Sequence, residues 1–324
     1  MTGELFELLD STGFGENVHE VASEGNCRVL RLEDSTGEGY MTMHRVFDGV
    51  YLMYNDFHLK SCDSQYQNAG TVLCIDHCRE GRIEHENKLG GRYFMEPGDL
   101  RIDTRVHHEG KVHMPLCHYH GVTIGFLRGL AEKSLQREFP SLSIDLGALA
   151  AKFCPDDKEF LLREDRTLDL LFSQLYQVPR EIREDYFKVK TAELLLVLGN
   201  MEPSSLREER QYFPAAQTDR VRQIHTFLTG DLSHSYTVEE LSRRFGMPPG
   251  TLRKVFRAVY GSPVYQYMKV YRMKMAAQML LCGDKMKISD IAAEAGYENA
   301  SKFSAAFRDV MGVSPQEYRR KQGN

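Results

Sequence analysis

One pattern, written twice, constrains this chain more than anything else in it. Leu241-Ser242-Arg243-Arg244-Phe245-Gly246, then Thr251-Leu252-Arg253-Lys254-Val255-Phe256, then Tyr260-Gly261-Ser262-Pro263 form the first copy. The second is Ile291-Ala292-Ala293-Glu294-Ala295-Gly296, then Ala300 to Phe307, then Met311-Gly312-Val313-Ser314-Pro315. Gly246 and Gly296 are 50 residues apart, Phe256 and Phe307 are 51, and Pro263 and Pro315 are 52. Duplicated helical units with unequal loops drift in this way.

Each copy reads as a helix-turn-helix. A small residue, Ser242 or Ala292, lets two helices approach, and four residues later a Gly supplies a left-handed turn. The second helix then puts Leu252, Val255, Phe256 and Val259 on one face, or Phe303, Ala306, Phe307 and Val310 in the later copy. The opposite faces carry Thr251, Arg253, Lys254 and Arg257, and Asn299, Ser301, Lys302, Ser304 and Arg308. Helices of this kind, about 250–259 and 299–310, suit the major groove of double-stranded DNA, with base-reading groups near their N-terminal ends. The plain alternative is a pair of helical hairpins with solvated outer faces; matched stop signals in both copies count against it.

Boundaries come from the caps. Thr237-Val238-Glu239-Glu240 and Ser314-Pro315-Gln316-Glu317 have the capping-box pattern, the latter with Pro at the first helical position. Ser262-Pro263 opens a helix expected to run to Cys282 and stop at Gly283. At about 1.5 Å per residue it spans roughly 30 Å, close to the ~34 Å turn of B-DNA. A rod of that length can set two reading helices into successive major-groove segments.

Residues 220–321 resemble the DNA-binding region of the AraC/XylS family of bacterial transcription regulators. The resemblance is carried by Ile288-Ser289-Asp290-Ile291-Ala292, Gly296-Tyr297-Glu298-Asn299, Phe303, Phe307, Gly312, Ser314-Pro315 and Tyr318-Arg319, with Arg272 and Ala276 to Leu280 in the linking helix. It departs at Pro248-Pro249-Gly250, where many members have a Ser-Pro type cap, so the first unit is expected to read DNA less specifically. Leu252–Phe256 and Tyr260–Val264 are similar to regulators of siderophore uptake, which sense an iron-chelator complex; sugar or aromatic effectors stand beside that option. The resemblance further implies RNA polymerase as a partner and a homodimer.

Charge supports a polyanion partner for one part of the chain only. From Thr218 to Asn324 there are 17 Lys and Arg against 10 Asp and Glu, whereas the first 217 residues hold 24 against 36. With 324 residues there is room for two or three domains. No 18-residue apolar run exists, so no membrane partner is expected. Met1–Asp10 is unlike a secretory signal. Seven cysteines without framework spacing suit reduced thiols in a cytoplasm; a bacterial, nucleoid-associated location is what the family resemblance implies.

A β strand is expected at Cys27–Leu32. From Gly39 to Leu127 short β runs lie between turn residues: Tyr40–Met43, Gly49–Tyr54, Gly70–Ile75, Arg92–Met95 and Gly121–Phe126. They suggest an antiparallel barrel or jelly roll, and resemble the cupin-like sensor domains of many AraC-type regulators. Such a barrel can hold one small-molecule effector; Tyr40, His44, Tyr51, Tyr54, Arg82, Glu84, Tyr93 and Arg101 are candidate lining groups. The charged phrase Asp76–Glu84 reads as an exposed hairpin rather than a recognition element. Cys74, His77 and Cys78 are not convergent in a strand, so they are not read as metal ligands. His118-Tyr119-His120 has the spacing of cupin metal sites, but Gly121–Gly125 follows with no Glu, and solvent-facing loop histidines are expected. No metal or cofactor is assigned.

From Ala131 the period becomes helical. Asp156–Glu164 and Thr167–Gln177 read as short helices, and Pro179 starts a long one with Ile182, Tyr186, Val189 and Leu196 on a stripe. Leu194–Leu198 is apolar all round, to be buried in the chain or against a second subunit. Met201–Thr218 reads as a linker, and Val221–Leu228 as the first helix beyond it.

The expected fold is therefore α+β: an N-terminal cupin-like antiparallel β barrel (1–130), a helical packing and dimerisation segment (131–200), a linker (201–218), and an all-α domain of two helix-turn-helix units joined by a linking helix (219–324). The leading function is a ligand-responsive DNA-binding regulator, not an enzyme. A cupin-type metalloenzyme with a helical scaffold and a non-specific nucleoid protein are the competing readings.

Overall fold

The computed structural model describes residues 17–86, 90–203, 211–282 and 286–322. Met1–Asp10, the Gly283 stop, residues 204–210 of the 201–218 stretch and the side chains of His107 and His108 lie outside the described residues. The chain divides into two compact units, residues 1–87 with 93–211, and 88–92 with 212–324.

In the first unit a sheet runs in the order β1 (Val18–Glu24), β2 (Cys27–Asp34), β3 (Gly37–Phe47), β4 (Val50–His58), β9 (Tyr119–Leu127), β5 (Ser61–Gly81), β8 (Leu100–His113), β6 (Ile83–Glu86) and β7 (Gly91–Met95), with β10 (Phe160–Leu162) beside β8. The pairings from β1 through β4 to β9, β5 and β8 are antiparallel. Strand alternation sends neighbouring residues to opposite faces, and here both faces are buried. On one face Val50, Leu52, Leu73, Ile75, Leu100, Ile102, Val122, Ile124 and Phe126 meet four helices. These are α1 (Arg128–Glu138), α2 (Leu146–Phe153), α3 (Arg166–Leu175) and α4 (Arg183–Asn200). On the other face Leu30, Met41, Tyr51, Cys74, Cys78, Tyr93, Met95 and Tyr119 join one cluster. Residues from β2 and β7, far apart in the strand order, can share a cluster only because the sheet curls.

The segment expected to form a helix at Asp156–Glu164 does not. It is a single 3-10 turn, Pro155–Asp157, followed by strand β10. Asp156, Asp157 and Glu164 all take positive φ, which interrupts helical hydrogen bonding, and Phe160, Leu161 and Leu162 gain burial beside β8. The Thr167–Gln177 helix is found as α3, its Asp165 side chain capping the backbone N–H groups of Thr167 and Leu168. In α4 Leu194, Leu195 and Leu198 are buried, whereas Ile182 just before it and Val189 and Leu196 within it are about half exposed.

The second unit begins with β11 (Phe213–Pro214), paired antiparallel with Arg92 and Gly91. Helix α5 (Ala215–Gly230) starts six residues before the expected Val221, within the stretch read as linker. Then follow α6 (Val238–Phe245), α7 (Pro249–Tyr260), α8 (Val264–Cys282), α9 (Ile288–Glu294), α10 (Ala300–Met311) and α11 (Pro315–Gln322). Both capping boxes form: the Glu240 amide donates to Thr237 Oγ1 at 3.2 Å, and the Thr237 amide to Glu240 Oε2 at 2.8 Å. Ser314 and Glu317 repeat the exchange at 3.3 and 2.9 Å. Gly246, Gly261 and Gly312 cap α6, α7 and α10 in the left-handed conformation. Leu252, Val255, Phe256 and Val259 are buried under α7, and Phe303 and Phe307 under α10. Helix α8, 19 residues long, packs on α7 at one end and on α9, α10 and α11 at the other. Arg272 on α8 donates to the His234 carbonyl at 2.7 Å and Ser235 Oγ at 2.8 Å, fixing the loop before α6.

Candidate functional site

The caps and apolar stripes decide which side chains α7 and α10 present to solvent. Arg253, Lys254 and Arg257 on α7 are exposed and Thr251 is half-buried. Around α10, Asn299, Ser301, Lys302 and Arg308 are exposed and Ser304 is half-buried. All nine expected DNA-facing residues therefore lie off the buried stripes. Three have local roles as well. The Asn299 side chain accepts from the Ser301 and Lys302 amides at 2.7 and 3.2 Å, capping α10. Arg253 donates to Glu239 Oε1 of α6 at 2.6 Å. Lys254 Nζ stands 6.0 Å from the Phe213 ring centre. Two arginines of α6 that the sequence reading left out, Arg243 and Arg244, are also exposed, the latter over the Phe227 ring at 4.1 Å. Their position in the last turn of α6, just before the turn to α7, was the available signal.

The eight candidate effector residues do not converge. Tyr51 and Tyr93 belong to the concave-face core, and Arg101 shares that face. His44 and Tyr54 point the other way, into the helical layer. His44 lies edge-on to Tyr54 and Phe187 at 5.9 and 5.2 Å, and Tyr54 donates to the Leu175 carbonyl at 2.6 Å. Burial against this layer lowers the His44 pKa to about 4. Tyr40 is exposed. Arg82 and Glu84 are buried, with Arg82 2.8 Å from Glu96. Even-numbered and odd-numbered strand positions face opposite ways, so no single pocket can be lined by all eight.

The phrase Asp76–Glu84 is not an exposed hairpin. Asp76, His77, Cys78, Arg82, Ile83 and Glu84 are buried, and only Arg79 and Glu80 are exposed. It spans the end of the central strand β5 and the start of β6, where its charges find partners. Arg101 reaches Asp76 at 3.3 Å, Asp103 at 2.8 Å and Glu159 at 3.5 Å. Arg105 holds Asp103 through Nε at 3.0 and 2.9 Å and also pairs with Asp76. Thr123 donates to Asp76 at 2.7 Å and Asn55 to Thr123 at 3.0 Å. The sequence reading missed Asp76, Asp103 and Arg105. The signal was the alternation Leu100-Arg101-Ile102-Asp103-Thr104-Arg105, charged at every second position.

His77 faces away from Cys74 and Cys78. It stacks on Phe172 of α3 at 4.5 Å and meets Asp169 at 3.0 Å. Burial pushes the Cys74 thiol up to about 12. A cleft of about 410 Å³ opens here, lined by His77, Arg79, Gly98, Asp169, Ser173 and Tyr176 among others. His118 and His120 are half-buried rather than solvent-facing loop residues. With His58 they bring one ring nitrogen each within 4.8 Å of one another.

Two helix-turn-helix units on one continuous helix, each with a polar outer face, define a double helix-turn-helix domain. Comparison with known families agrees: residues 241–321 match the family described as a helix-turn-helix domain. A Streptomyces antibioticus protein described as AraC-like is 35% identical over 95 residues, 29% of this chain and 31% of its own. The HTH-type transcriptional regulator ExsA of Pseudomonas aeruginosa is 32% identical over 99 residues, 31% of this chain and 35% of its own. The HTH-type transcriptional activator RhaR of Yersinia pestis is 37% identical over 149 residues, 45% of this chain and 51% of its own. The chain thus spans about a third to a half of the length of these relatives. Together with the Ile288–Arg319 segment, these matches make the C-terminal domain similar to the helix-turn-helix domains of AraC-type regulators.

Proposed function

We propose that this chain is a ligand-responsive, sequence-specific DNA-binding transcription regulator acting in the cytoplasm at the bacterial nucleoid. One observation carries the reading: α7 and α10 both hold basic, exposed faces outward from buried stripes, joined by the unbroken 19-residue α8. At about 1.5 Å per residue α8 spans roughly 28 Å, near one B-DNA turn, so the two helices suit successive major-groove segments. The relatives named above are regulators and an activator, which favours this reading over a metalloenzyme with a helical scaffold.

The first unit is read as a cupin-like sensor domain, its cleft lying on the helix-covered face of the sheet beside α3 rather than in the concave core. Its cleft of about 410 Å³ falls within the ~300–1,000 Å³ of small-molecule sites. An effector there acts only through its differential affinity for two states of the protein. Val189 and Leu196 lie seven residues apart on the exposed side of α4, with exposed Ile182 just before the helix, which favours a homodimer through that stripe. RNA polymerase is the further partner expected of such a regulator.

Capture and sequencing of bound genomic fragments, followed by footprinting, tests the reading. Lys302→Ala and Arg308→Ala each should weaken a specific footprint, by about 1–3 kcal/mol where the side chain contacts a base, with melting unchanged. Unaltered footprints in both variants overturn the assignment of α10 as a reading helix.

A further inference from the structure

We propose that His58, His118 and His120 form a binding site for a divalent first-row transition ion, with Zn²⁺ as its reference occupant. The site lies on the sheet of the first unit and is independent of the DNA-binding reading.

Strand register builds it. Asp56 on β4 and Glu80 on β5 both pair directly with His120 on β9, forming one row across three adjacent strands. His58 and His118 stand two residues further along β4 and just ahead of β9, on the same face by alternation. Higher up this face Val50, Leu52, Val122 and Ile124 are covered by the helical layer. Three imidazoles and two carboxylates take over where the apolar residues end.

His58 and His118 are oriented as a ligand pair, and His120 brings a third ring nitrogen within 4.8 Å. His58 Nδ1 and His118 Nδ1 face each other at 3.5 Å. Two nitrogens bound tetrahedrally at about 2.0–2.1 Å from Zn²⁺ stand roughly 3.3–3.4 Å apart. The far nitrogen of each ring meets a carboxylate, His58 Nε2 with Asp56 Oδ1 at 2.8 Å and His118 Nε2 with Glu80 Oε2 at 3.6 Å. Carboxylates at the far nitrogens fix ring orientation and tautomer in metal sites. His120 adds its ring at centroid distances of 4.5 and 5.5 Å from His118 and His58, and contacts Asp56. Imidazole donors suit Zn²⁺, Co²⁺ and Ni²⁺ over Mg²⁺ or Ca²⁺, which take oxygen ligands. An ion here ties the ends of β4 and β9 together.

The test uses the full, untagged chain stripped with chelator. Zn²⁺ is titrated by calorimetry and Co²⁺ by visible absorption. The expected result is one ion per chain, visible Co²⁺ bands without sulfur-to-metal charge transfer, and a higher melting temperature with Zn²⁺. His118→Ala/His120→Ala should abolish all three, and Asp56→Asn should weaken binding about 10–100-fold. His85→Ala, away from the cluster, should leave them intact. Equal melting of the stripped double variant and stripped wild type shows that the fold survives; if it does not, His118→Gln/His120→Gln replaces it. Substoichiometric binding, a charge-transfer band assigning the ion to thiols, or unchanged affinity in the double variant overturns the proposal.

Discussion

Arg253 of α7 reaches back to Glu239 of α6, Nη2 to Oε1 at 2.6 Å, so a side chain proposed for phosphate or base contact is shared with an acidic neighbour. Both groups are more than half exposed, and such pairs contribute only about 0–1 kcal/mol. Glu239→Gln should leave melting unchanged, because the capping box uses Glu240 and Thr237 instead. It should tighten DNA binding about two- to fivefold by freeing Arg253 and removing a like charge from the phosphates. Equal affinities in a salt titration would show that Arg253 does not reach DNA.

Phe307 is fully buried and meets Phe303 and Tyr318 at 5.7 and 5.5 Å. It packs α10 against α8 and α11. Phe307→Ala should cost about 3–5 kcal/mol, read as a lowered melting temperature. Phe307→Leu, which retains most of the volume, should cost far less.

His44 gives the first unit an acid-labile element. Burial chiefly, then the nearby Arg183 charge, depress its pKa to about 4, while Glu184 works the other way. The unfolded chain binds the proton near pH 6.5, so the stabilisation is complete above that pH and is lost as pH falls towards 4. The gap corresponds to about 3 kcal/mol. His44→Gln should flatten the dependence of urea stability on pH across this window; parallel curves would refute it.

Val189 and Leu196 expose about half their surface on α4, on the side opposite the buried Leu194, Leu195 and Leu198. Val189→Asp/Leu196→Asp should convert a dimer to a monomer in sedimentation equilibrium at unchanged helix content. Identical mass for wild type and variant would place any dimer contact elsewhere.

Much of the second unit was legible because its information is local. Caps at Thr237 and Ser314, positive-φ glycines at 246, 261 and 312, and stripes such as Leu252-Val255-Phe256-Val259 depend on residues within a few turns of one another. In the first unit the strands were legible as elements but their facing was not. Whether Tyr54 and His44 point to the concave core or to α4 depends on which face the helices cover.

What the sequence determined by itself was the duplicated helical module, its boundaries and the polarity of its outer faces, since helical periodicity assigns each side chain a face without a distant partner. Tertiary structure alone decided the rest. Pairing of β5 between β8 and β9 buried Asp76 and His77 in what reads as an exposed hairpin. The β4–β9 register brought His58 beside His118 and His120, 60 and 62 residues away in the chain. Sheet register is fixed by non-local hydrogen bonds, and a slip of one residue would reverse every face, so no local pattern could have supplied it.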